Sequence, residues 1–401
     1  MPLHTPLEHR GRAAAGEAPR SGATRGADAR PHICFLAPTT WPILSRDREI
    51  RVVGGAEVQQ SMIAPALARK GYRVSMICYD YGQPDRVEVG GVTIYNMHKP
   101  HEGIPVLRYV HPRLTSLWRA LTRADADVYY QRTAAAYTGI LAAFCRRHGR
   151  RSVYSGASDV DFIPGREDIR FARDRLIFRW GLRNVDRIIA QNPAQQASLK
   201  ENYGRESVLI PSCYVPPAGA HADRAGYVLW VATIRPSKRP EMLLEIARRM
   251  PNQRFVVVGG PDPAPKEVRY YEAIREAARA LPNIDLVGFV PYADADRYFD
   301  GARLVLNTSL YEGFPNTFLQ AWARGIPTVA FVDTGSRRDG QPVYEIVKDI
   351  PEATWKLERL MRDDILWREA SQRSAAHFRD HHSLDAVIGM YEREILQGLG
   401  R

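Results

Sequence analysis

Three charged side chains in the second half of the sequence have types and positions that suit phosphate chemistry. Arg235 and Lys238 follow the apolar run "YVLWVAT" within "ATIRPSKRPE", and Glu312 lies in a glycine-containing loop within "LVLNTSLYEGFPNTFLQAW". Two cations held just after a strand can bind a diphosphate, because each charge-assisted hydrogen bond contributes about 1.5–3 kcal/mol. The simpler alternatives are a solvated surface pair for the two cations and an ordinary loop acid for Glu312.

The residues after that acid predict a helix whose start can bind an anion. Gly313 lets a ligand approach the backbone closely, and Asn316 and Thr317 open a helix-forming run. The first backbone N–H groups of a helix have no partner inside it and attract negative charge. We therefore expect the two cations and this helix start to share one diphosphate.

Alternating strands and helices indicate how these residues are positioned. Short apolar runs alternate with helical segments along both halves of the chain, which is typical of βαβ units. The sequence predicts an α/β protein of GT-B-like architecture, with two facing Rossmann-like parallel-sheet domains and a cleft between them. Ligands of such sheets bind outside the carboxyl ends of the strands, so the candidate residues should line that cleft. The predicted strands lie in "HICFLAP", "RVSMICY", "DVYYQR", "RSVYSGA", "DRIIAQ", "YVLWVAT", "RFVVVGG", "IDLVGFV", "ARLVLNT" and "PTVAF".

Composition divides the chain into segments. Residues 1–30 are rich in Ala, Arg and Gly without apolar periodicity, which predicts a disordered tail. Residues 31–215 form the predicted first domain, and the Pro- and Gly-containing stretch that follows is typical of a linker. Residues 226–378 form the predicted second domain. Residues 379–401 are expected to contain a last helix that packs back on the first domain.

Bulk composition limits the class of protein. The 401 residues are 45% hydrophobic and 25% charged, as in a folded soluble protein. The formal charge of +11 favours anionic partners without choosing among nucleotides, nucleic acid and an acidic membrane. No apolar run approaches the roughly 20 residues that span a bilayer. The cysteines lack C-x-x-C spacing and are predicted to be buried free thiols of a cytosolic protein rather than zinc ligands. They are Cys34, Cys78, Cys145 and Cys213.

On these residues the sequence resembles the retaining GT-B glycosyltransferases of family 4, also called group 1. The resemblance covers about residues 31–400 and is densest over 226–332. In that family the first domain faces the acceptor and the second binds the nucleotide sugar. An Arg and a Lys after the first strand of the second domain hold the donor diphosphate, and the match implies that role for Arg235 and Lys238.

A Glu, seven residues and a second Glu mark the sugar–nucleotide site of the family. Here the motif is "EGFPNTFLQ", with Glu312 at the first position and Gln320 at the second. The resemblance implies that Glu312 contacts the donor sugar and that residue 320 holds the ribose hydroxyls, although Gln320 lacks the charge that strengthens such bonds. Further donor contacts are implied for Gly313, Phe314, Pro315, Asn316 and Thr317, for the backbone near Phe289 and Val290, and for Gly54 and Gly55 of "GGAE". A tight strand-to-helix turn is the alternative for this glycine pair.

A second departure from the family concerns the acceptor. Many members carry a His after the strand that here is "RSVYSGASDVDF", and no His stands in that segment. Asp159 or Asp161 could orient the acceptor hydroxyl instead. The "DVD" triplet also resembles the metal-binding acids of the other glycosyltransferase fold. We interpret that match as chance, because that fold lacks a second dinucleotide-type domain.

The leading hypothesis is a glycosyltransferase that moves a sugar from a nucleotide-diphosphate donor to a hydroxyl acceptor with retention of configuration. The acceptor could be a polysaccharide, a glycolipid or a small glycoside. Arg235, Lys238 and the helix start would stabilise the leaving diphosphate, with Glu312 as the third catalytic candidate, so no metal or other cofactor is expected. The alternatives are a sugar-nucleotide epimerase of the same fold and a degenerate relative that binds nucleotide sugar without turnover. A nucleic-acid binder is not expected, because no RNA-binding or recognition-helix motif is present.

Two basic amphipathic segments predict a peripheral membrane contact. "IRFARDRLIFRWGLRNVDRII" interleaves six arginines with aromatic and aliphatic residues, and "HPRLTSLWRALTR" has the same character. Such helices can lie on an anionic membrane surface. The alternative is a helix packed on the first domain with its arginines in water. The expected location is cytoplasmic, at the inner face of the membrane if either helix binds lipid.

Overall fold

A computed structural model describes residues 30–45, 54–100, 102–103, 109–219, 226–262 and 265–397. The predicted disordered tail therefore lies outside the described residues, apart from Arg30, and so do residues 220–225 of the predicted linker.

The first half of the chain folds into an eight-stranded sheet. Its strands are β1 (His32–Leu36), β2 (Arg73–Cys78), β3 (Arg86–Val89), β4 (Val92–Asn96), β5 (Val128–Arg132), β6 (Arg151–Ser155), β7 (Arg187–Ala190) and β8 (Val208–Leu209). The spatial order is β3-β4-β2-β1-β5-β6-β7-β8. All neighbours are parallel except β3 and β4. The inner strands are continuous apolar runs because helices cover both faces of a parallel sheet.

Six α-helices belong to this half of the described chain, and two of them pack closely together. They are α1 (Trp41–Leu44), α2 (Gly55–Arg69), α3 (Thr115–Ala124), α4 (Ala136–His148), α5 (Ala172–Asn184) and α6 (Pro193–Tyr203). Glycines let α4 and α5 touch through their backbones. A Cβ at Gly139 would lie 2.3 Å from Ile177 O, and one at Gly181 would lie 2.5 Å from Gly139 N. The helix expected within "IRFARDRLIFRWGLRNVDRII" is present and runs from Ala172 to Asn184.

The second half folds into a six-stranded parallel sheet and a small two-stranded ribbon. The strands are β9 (Tyr227–Val231), β10 (Phe255–Val258), β11 (Ile284–Gly288), β12 (Ala302–Asn307), β13 (Thr328–Ala330), β14 (Arg337–Arg338), β15 (Gln341–Pro342) and β16 (Glu345–Ile346). The sheet order is β11-β10-β9-β12-β13-β16, and β14 pairs with β15. In both sheets the chain first builds one side and then switches to the other. The switch lies between β1 and β5 in the first sheet and between β9 and β12 in the second.

The remaining helices cover the second sheet and then return to the first. They are α7 (Pro240–Arg249), α8 (Pro265–Arg279), α9 (Tyr292–Asp300), α10 (Asn316–Trp322), α11 (Ile350–Arg362), α12 (Asp364–His381) and α13 (Leu384–Tyr391). Helix α13 packs on α2 and contributes Val387 and Ile388 to the apolar core of the first sheet. The Tyr130 and Tyr391 hydroxyls lie 3.1 Å apart in that core. The predicted domain boundaries themselves stay a prediction.

The predicted fold class is confirmed, since two parallel-sheet α/β units face each other across a cleft. Side chains bridge the two units directly. Gln59 of α2 is buried, and its amide nitrogen donates to Asn316 Oδ1 and to Cys213 O, both at 2.8 Å. The cysteines predicted to be buried free thiols are all buried and free.

Candidate functional site

The cleft contains a cavity of about 990 Å³ at the carboxyl ends of the switch-point strands. It is at the upper end of the range of about 300–1,000 Å³ that ligand pockets span. Every residue expected at the donor site lines it: Gly54, Gly55, Arg235, Lys238, Phe289, Val290, Glu312, Gly313, Phe314, Pro315, Asn316, Thr317 and Gln320. The cavity thus brings together residues from the carboxyl ends of several strands.

An ion pair joins two of the three charged candidates. Lys238 Nζ donates to Glu312 Oε1, and Ser309 Oγ donates to the same oxygen at 2.6 Å. The Lys238 and Glu312 side chains are only 15% and 16% exposed. An ammonium group has three donor hydrogens, so Lys238 can hold Glu312 and still donate to a phosphate oxygen.

Arg239 fixes the loop that carries the cations, and its role was not predicted. Its guanidinium donates to Thr308 O at 2.7 Å and to Ser309 O at 3.0 Å. In the other direction, Thr308 Oγ1 donates to Lys238 O at 2.6 Å. The loops after β9 and β12 are therefore tied together, which holds Lys238 and Glu312 in a fixed relation.

Arg235 is held differently from Lys238. Its side chain lines the cavity, and its Nε is buried with no hydrogen-bond partner among the residues that the structure describes. An unsatisfied buried donor costs about 1–3 kcal/mol, which an anionic ligand would recover. Arg235 therefore fits the phosphate-binding role that was predicted for it.

The helix after Glu312 begins where the sequence predicts but is short. Helix α10 has seven residues, from Asn316 to Trp322. The Asn316 side chain turns toward the first unit, where its Nδ2 donates to Gly55 O at 3.1 Å. A Cβ on Gly55 would lie 3.0 Å from that nitrogen, so the glycine allows the two loops to meet. Gly55 thus joins the first unit to the start of α10 at the cleft.

Gln320 lines the cavity in front of a carboxylate. It is 3% exposed, and its Nε2 donates to Asp296 Oδ1 at 3.4 Å. The same oxygen accepts from Tyr214 Oη at 2.5 Å and from Arg324 Nη2 at 3.0 Å. A neutral amide suits this position, because its nitrogen faces the acid and its oxygen remains an acceptor for a hydroxyl group.

Two family models match the chain, one on each half. The model described as Glycosyl transferase 4-like domain matches residues 54–213, and the model described as Glycosyl transferases group 1 matches residues 225–363. The chain belongs to the group 1 glycosyltransferases. The predicted family is confirmed, whereas retention of configuration stays a prediction. The group 1 match contains all three charged candidates of this glycosyltransferase.

Known proteins agree with the family and the fold. D-inositol 3-phosphate glycosyltransferase of Mycolicibacterium smegmatis is 27% identical over 180 residues, which are 41% of this chain and 40% of that protein. The chain thus spans about two fifths of the length of this relative. Sucrose-phosphate synthase of Thermosynechococcus elongatus has a TM-score of 0.71 and 17% identity, covering 91% of this chain and 98% of its own. HepE of Anabaena, solved in complex with UDP and glucose, has a TM-score of 0.67 and 15% identity, covering 90% and 98%.

The two acceptor-side candidates of this glycosyltransferase occupy different environments. Asp161 is buried, and its Oδ2 accepts hydrogen bonds from the Ala157 and Ser158 amides and from Tyr154 Oη. Burial raises the pKa of Asp161 to about 6. Through these hydrogen bonds Asp161 stabilises the loop that contains it.

Asp159 lies nearer the sugar-site loop. Its Oδ1 accepts from Asn192 Nδ2 and Gln195 Nε2, both at 3.0 Å, and Asn192 also donates to Gly313 O at 2.9 Å. Burial raises the pKa of Asp159, and the negative charge of Glu312 adds to that rise. Neither Asp159 nor Asp161 is part of the cavity wall, whose nearest members are Ala157 and Ser158. Orientation of the acceptor by either acid stays a prediction.

The residues that the structure describes contain neither a metal-binding cluster nor a membrane-spanning helix. Within those residues, no group of three or more His, Cys, Asp and Glu side chains is arranged to hold a metal ion. None of the described helices combines the length and the apolar composition needed to cross a bilayer.

Proposed function

We propose that this chain transfers a sugar from a nucleotide-diphosphate donor to a hydroxyl acceptor, with retention of configuration. One observation carries the proposal: Arg235, Lys238 and Glu312 line one cavity at the carboxyl ends of β9 and β12. Family membership supports transfer over the epimerase alternative. The solved complex of HepE with UDP and glucose supports a nucleoside diphosphate sugar as the donor class.

The two cations would act on the leaving group. When the bond between the anomeric carbon and the diphosphate breaks, negative charge grows on the phosphate oxygens. Arg235 and Lys238 are fixed in place before that charge develops, because the Arg239 contacts hold their loop. Such preorganised stabilisation often contributes more to catalysis than any other effect, and loss of one donor costs about 2.7–4 kcal/mol.

The remaining residues would hold the donor sugar and ribose. Glu312 would accept hydrogen bonds from sugar hydroxyls while Lys238 keeps it in position. Gln320 would present its amide oxygen to the ribose, with Asp296 behind its nitrogen. The acceptor hydroxyl would then attack the anomeric carbon from the face that the diphosphate leaves, which gives retention.

A donor screen followed by an acceptor test examines this function. UDP-, GDP- and ADP-sugars are compared for thermal stabilisation, since a ligand at 100 times its dissociation constant adds about 2.7 kcal/mol. The best donor is then incubated with and without candidate acceptors, and Glu312→Gln serves as the matched control. Acceptor-dependent sugar transfer with a retained anomeric centre supports the proposal. Conversion of the donor to its epimer would show that the protein is an epimerase instead. Donor binding without transfer or hydrolysis would show that the protein binds the nucleotide sugar without turnover.

We also propose that α5 rests on an anionic membrane surface. Leu176 and Trp180 are 67% and 41% exposed, and Phe171 just before the helix is 50% exposed. The same helix carries four arginines, Arg173, Arg175, Arg179 and Arg183, so apolar burial and attraction to anionic lipids would act together. Ile177 and Gly181 of α5 pack on α4, so the helix both packs on its domain and exposes an adjacent apolar face.

Vesicle binding tests the membrane contact. The protein should co-sediment at low salt with vesicles that contain 30% phosphatidylserine. It should not co-sediment with vesicles of phosphatidylcholine alone. Leu176→Ser combined with Trp180→Ser should abolish the binding without lowering thermal stability, because both side chains are exposed. Equal sedimentation of this variant and the unchanged chain would exclude α5 as the contact.

A further inference from the structure

A buried arginine stands on the first-domain side of the cavity, away from the donor cations. Arg132 is the last residue of β5, at the switch point between β1 and β5. It lines the cavity and is only 7% exposed. In open α/β sheets the carboxyl end of a switch-point strand is where ligands bind. Arg132 thus lies at the switch point of the first sheet, as the candidate donor residues lie at the switch point of the second sheet.

The charge of Arg132 is poorly satisfied. Its Nη2 donates to Ser212 Oγ at 3.1 Å, while its Nε is buried without a partner. Among the described residues it forms no ion pair with a carboxylate. The buried Asp161 attracts Arg132 without pairing with it directly, and its Oδ2 accepts hydrogen bonds from its own loop. Removing a cation from water without a directly paired counter-charge costs several kcal/mol. A bound anion would recover that cost.

The backbone beside Arg132 is held in a strained conformation. Thr133 has a φ of +83°, which β-branched residues rarely adopt, and its side chain is exposed on the cavity wall. Gln131 Nε2 donates to Arg132 O at 2.7 Å and to Thr133 O at 2.6 Å, which fixes this turn. Strained residues of this kind cluster at ligand sites, because the surrounding contacts keep them ready for binding.

We propose that Arg132 forms a subsite for an anionic group, a phosphate or a carboxylate, carried by the acceptor. The assignment rests on the proposed function, which leaves the acceptor open. A guanidinium binds both anions through two parallel hydrogen bonds, a geometry that a lysine does not offer. Arg235 and Lys238 belong to the opposite wall, so the donor diphosphate and this anion can be bound at the same time.

Anion titration with the donor site filled tests the subsite. The nucleoside diphosphate among UDP, GDP and ADP that stabilises the chain most is added to saturation. Inorganic phosphate and acetate are then titrated by calorimetry. The unchanged chain should bind at least one of them, and Arg132→Gln, which keeps a donor for Ser212, should bind it at least tenfold more weakly. Affinity for the nucleoside diphosphate should be equal in the two proteins.

A second pair of variants tests the subsite even if the buried substitution Arg132→Gln disturbs folding. Thr133→Glu adds a carboxylate to the cavity wall at the exposed residue that follows Arg132, and Thr133→Gln is its neutral match. Thr133→Glu should bind the anion at least tenfold more weakly than Thr133→Gln. Equal affinity in this pair, or an anion affinity that Arg132→Gln leaves unchanged, would overturn the subsite.

The remaining outcomes separate this inference from the proposed function. Weaker nucleotide binding by Arg132→Gln would show that Arg132 binds the diphosphate of the donor. It would thereby overturn the assignment of the anionic group to the acceptor. If no nucleotide binds, the proposed function fails, and the phosphate titration is run without nucleotide on Arg132→Gln and Arg235→Gln. A binding component lost only in Arg132→Gln then supports the subsite, and the lack of such a component refutes it.

Discussion

Replacing Gln320 with a glutamate tests how the donor pocket tolerates charge. The substitution restores the acid that the family carries at this position, but here the new carboxylate would meet another one. Gln320 Nε2 lies 3.4 Å from Asp296 Oδ1, so Gln320→Glu would exchange a hydrogen bond for a repulsion. We expect the variant to be less stable and to bind its nucleotide donor less tightly, although its motif is closer to the family pattern.

The size of the effect follows from the contacts. Two unit charges about 4 Å apart repel by about 4 kcal/mol at an effective dielectric constant of 20. Arg324 offsets part of this, but its guanidinium already pairs with Asp296 at 3.0 Å and Asp300 at 2.7 Å. A net loss of about 2–3 kcal/mol in unfolding free energy is therefore expected near pH 8. The repulsion also favours protonation of the introduced acid, so the loss should shrink toward pH 5.

Urea unfolding at pH 8 and pH 5 measures these differences. Gln320→Met serves as the uncharged control of similar length, and Asp296→Asn is made alone and together with Gln320→Glu. In the double variant the repulsion is gone, so the cost of Gln320→Glu should fall by at least 1.5 kcal/mol, or roughly tenfold in equilibrium constant. A Gln320→Glu chain as stable as the unchanged one at pH 8, or a cost that Asp296→Asn does not reduce, would refute the reasoning.

Three further predictions follow from single contacts. Lys238→Ala should lower the transfer rate about 100- to 1,000-fold, as for loss of a transition-state donor, while the free energy of unfolding falls by only about 1–2 kcal/mol. Steady-state rates and unfolding curves of the variant measure the two effects. Unchanged turnover in a folded variant would exclude the diphosphate role of Lys238. Gly313→Ala should cost about 1–3 kcal/mol by overpacking, since its Cβ would lie 2.3 Å from Ala157 O, as calorimetric melting would reveal. Burial lowers the pKa of His382 from 6.5 to about 3, so its stabilisation is complete above pH 6.5 and is lost as the pH falls toward 3, by about 1.4 kcal/mol per unit. His382→Asn, which keeps a donor for Ser212 O, should flatten unfolding free energy measured between pH 7 and 4.5, and an identical slope would contradict the assignment.

Much of the fold follows from sequence patterns because its inner strands are short apolar runs between helices. "RFVVVGG" is such a run, and its residues Phe255–Val258 form a buried strand. The β3–β4 hairpin was not predicted, because β3 (Arg86–Val89) is an edge strand with partly exposed side chains. Helix α6 was also missed. It buries only Gln195 and Leu199, so its sequence lacks a clear apolar periodicity.

The candidate site could be assembled from the sequence only in part. Strand-end placement brings Arg235, Lys238 and Glu312 to one cleft, and the cavity contains all three. Their direct contacts depend on the register of separate loops. Lys238 and Glu312 are 74 positions apart, and nothing in either segment alone indicates that they pair. Pairings such as Gln320 with Asp296 arise from helix packing, which local patterns do not encode.

The return of the chain to its first core has a consequence for biosynthesis. Val387, Ile388 and Tyr391 complete the apolar cluster that begins with Ile33. The amino-terminal unit therefore lacks part of its interior until residues 387–391 have left the ribosome. The last strand of the six-stranded sheet ends at Ile346, so that sheet has all its strands well before that point. A transcript truncated after codon 381 should thus yield a product that is damaged at its opposite, amino-terminal half.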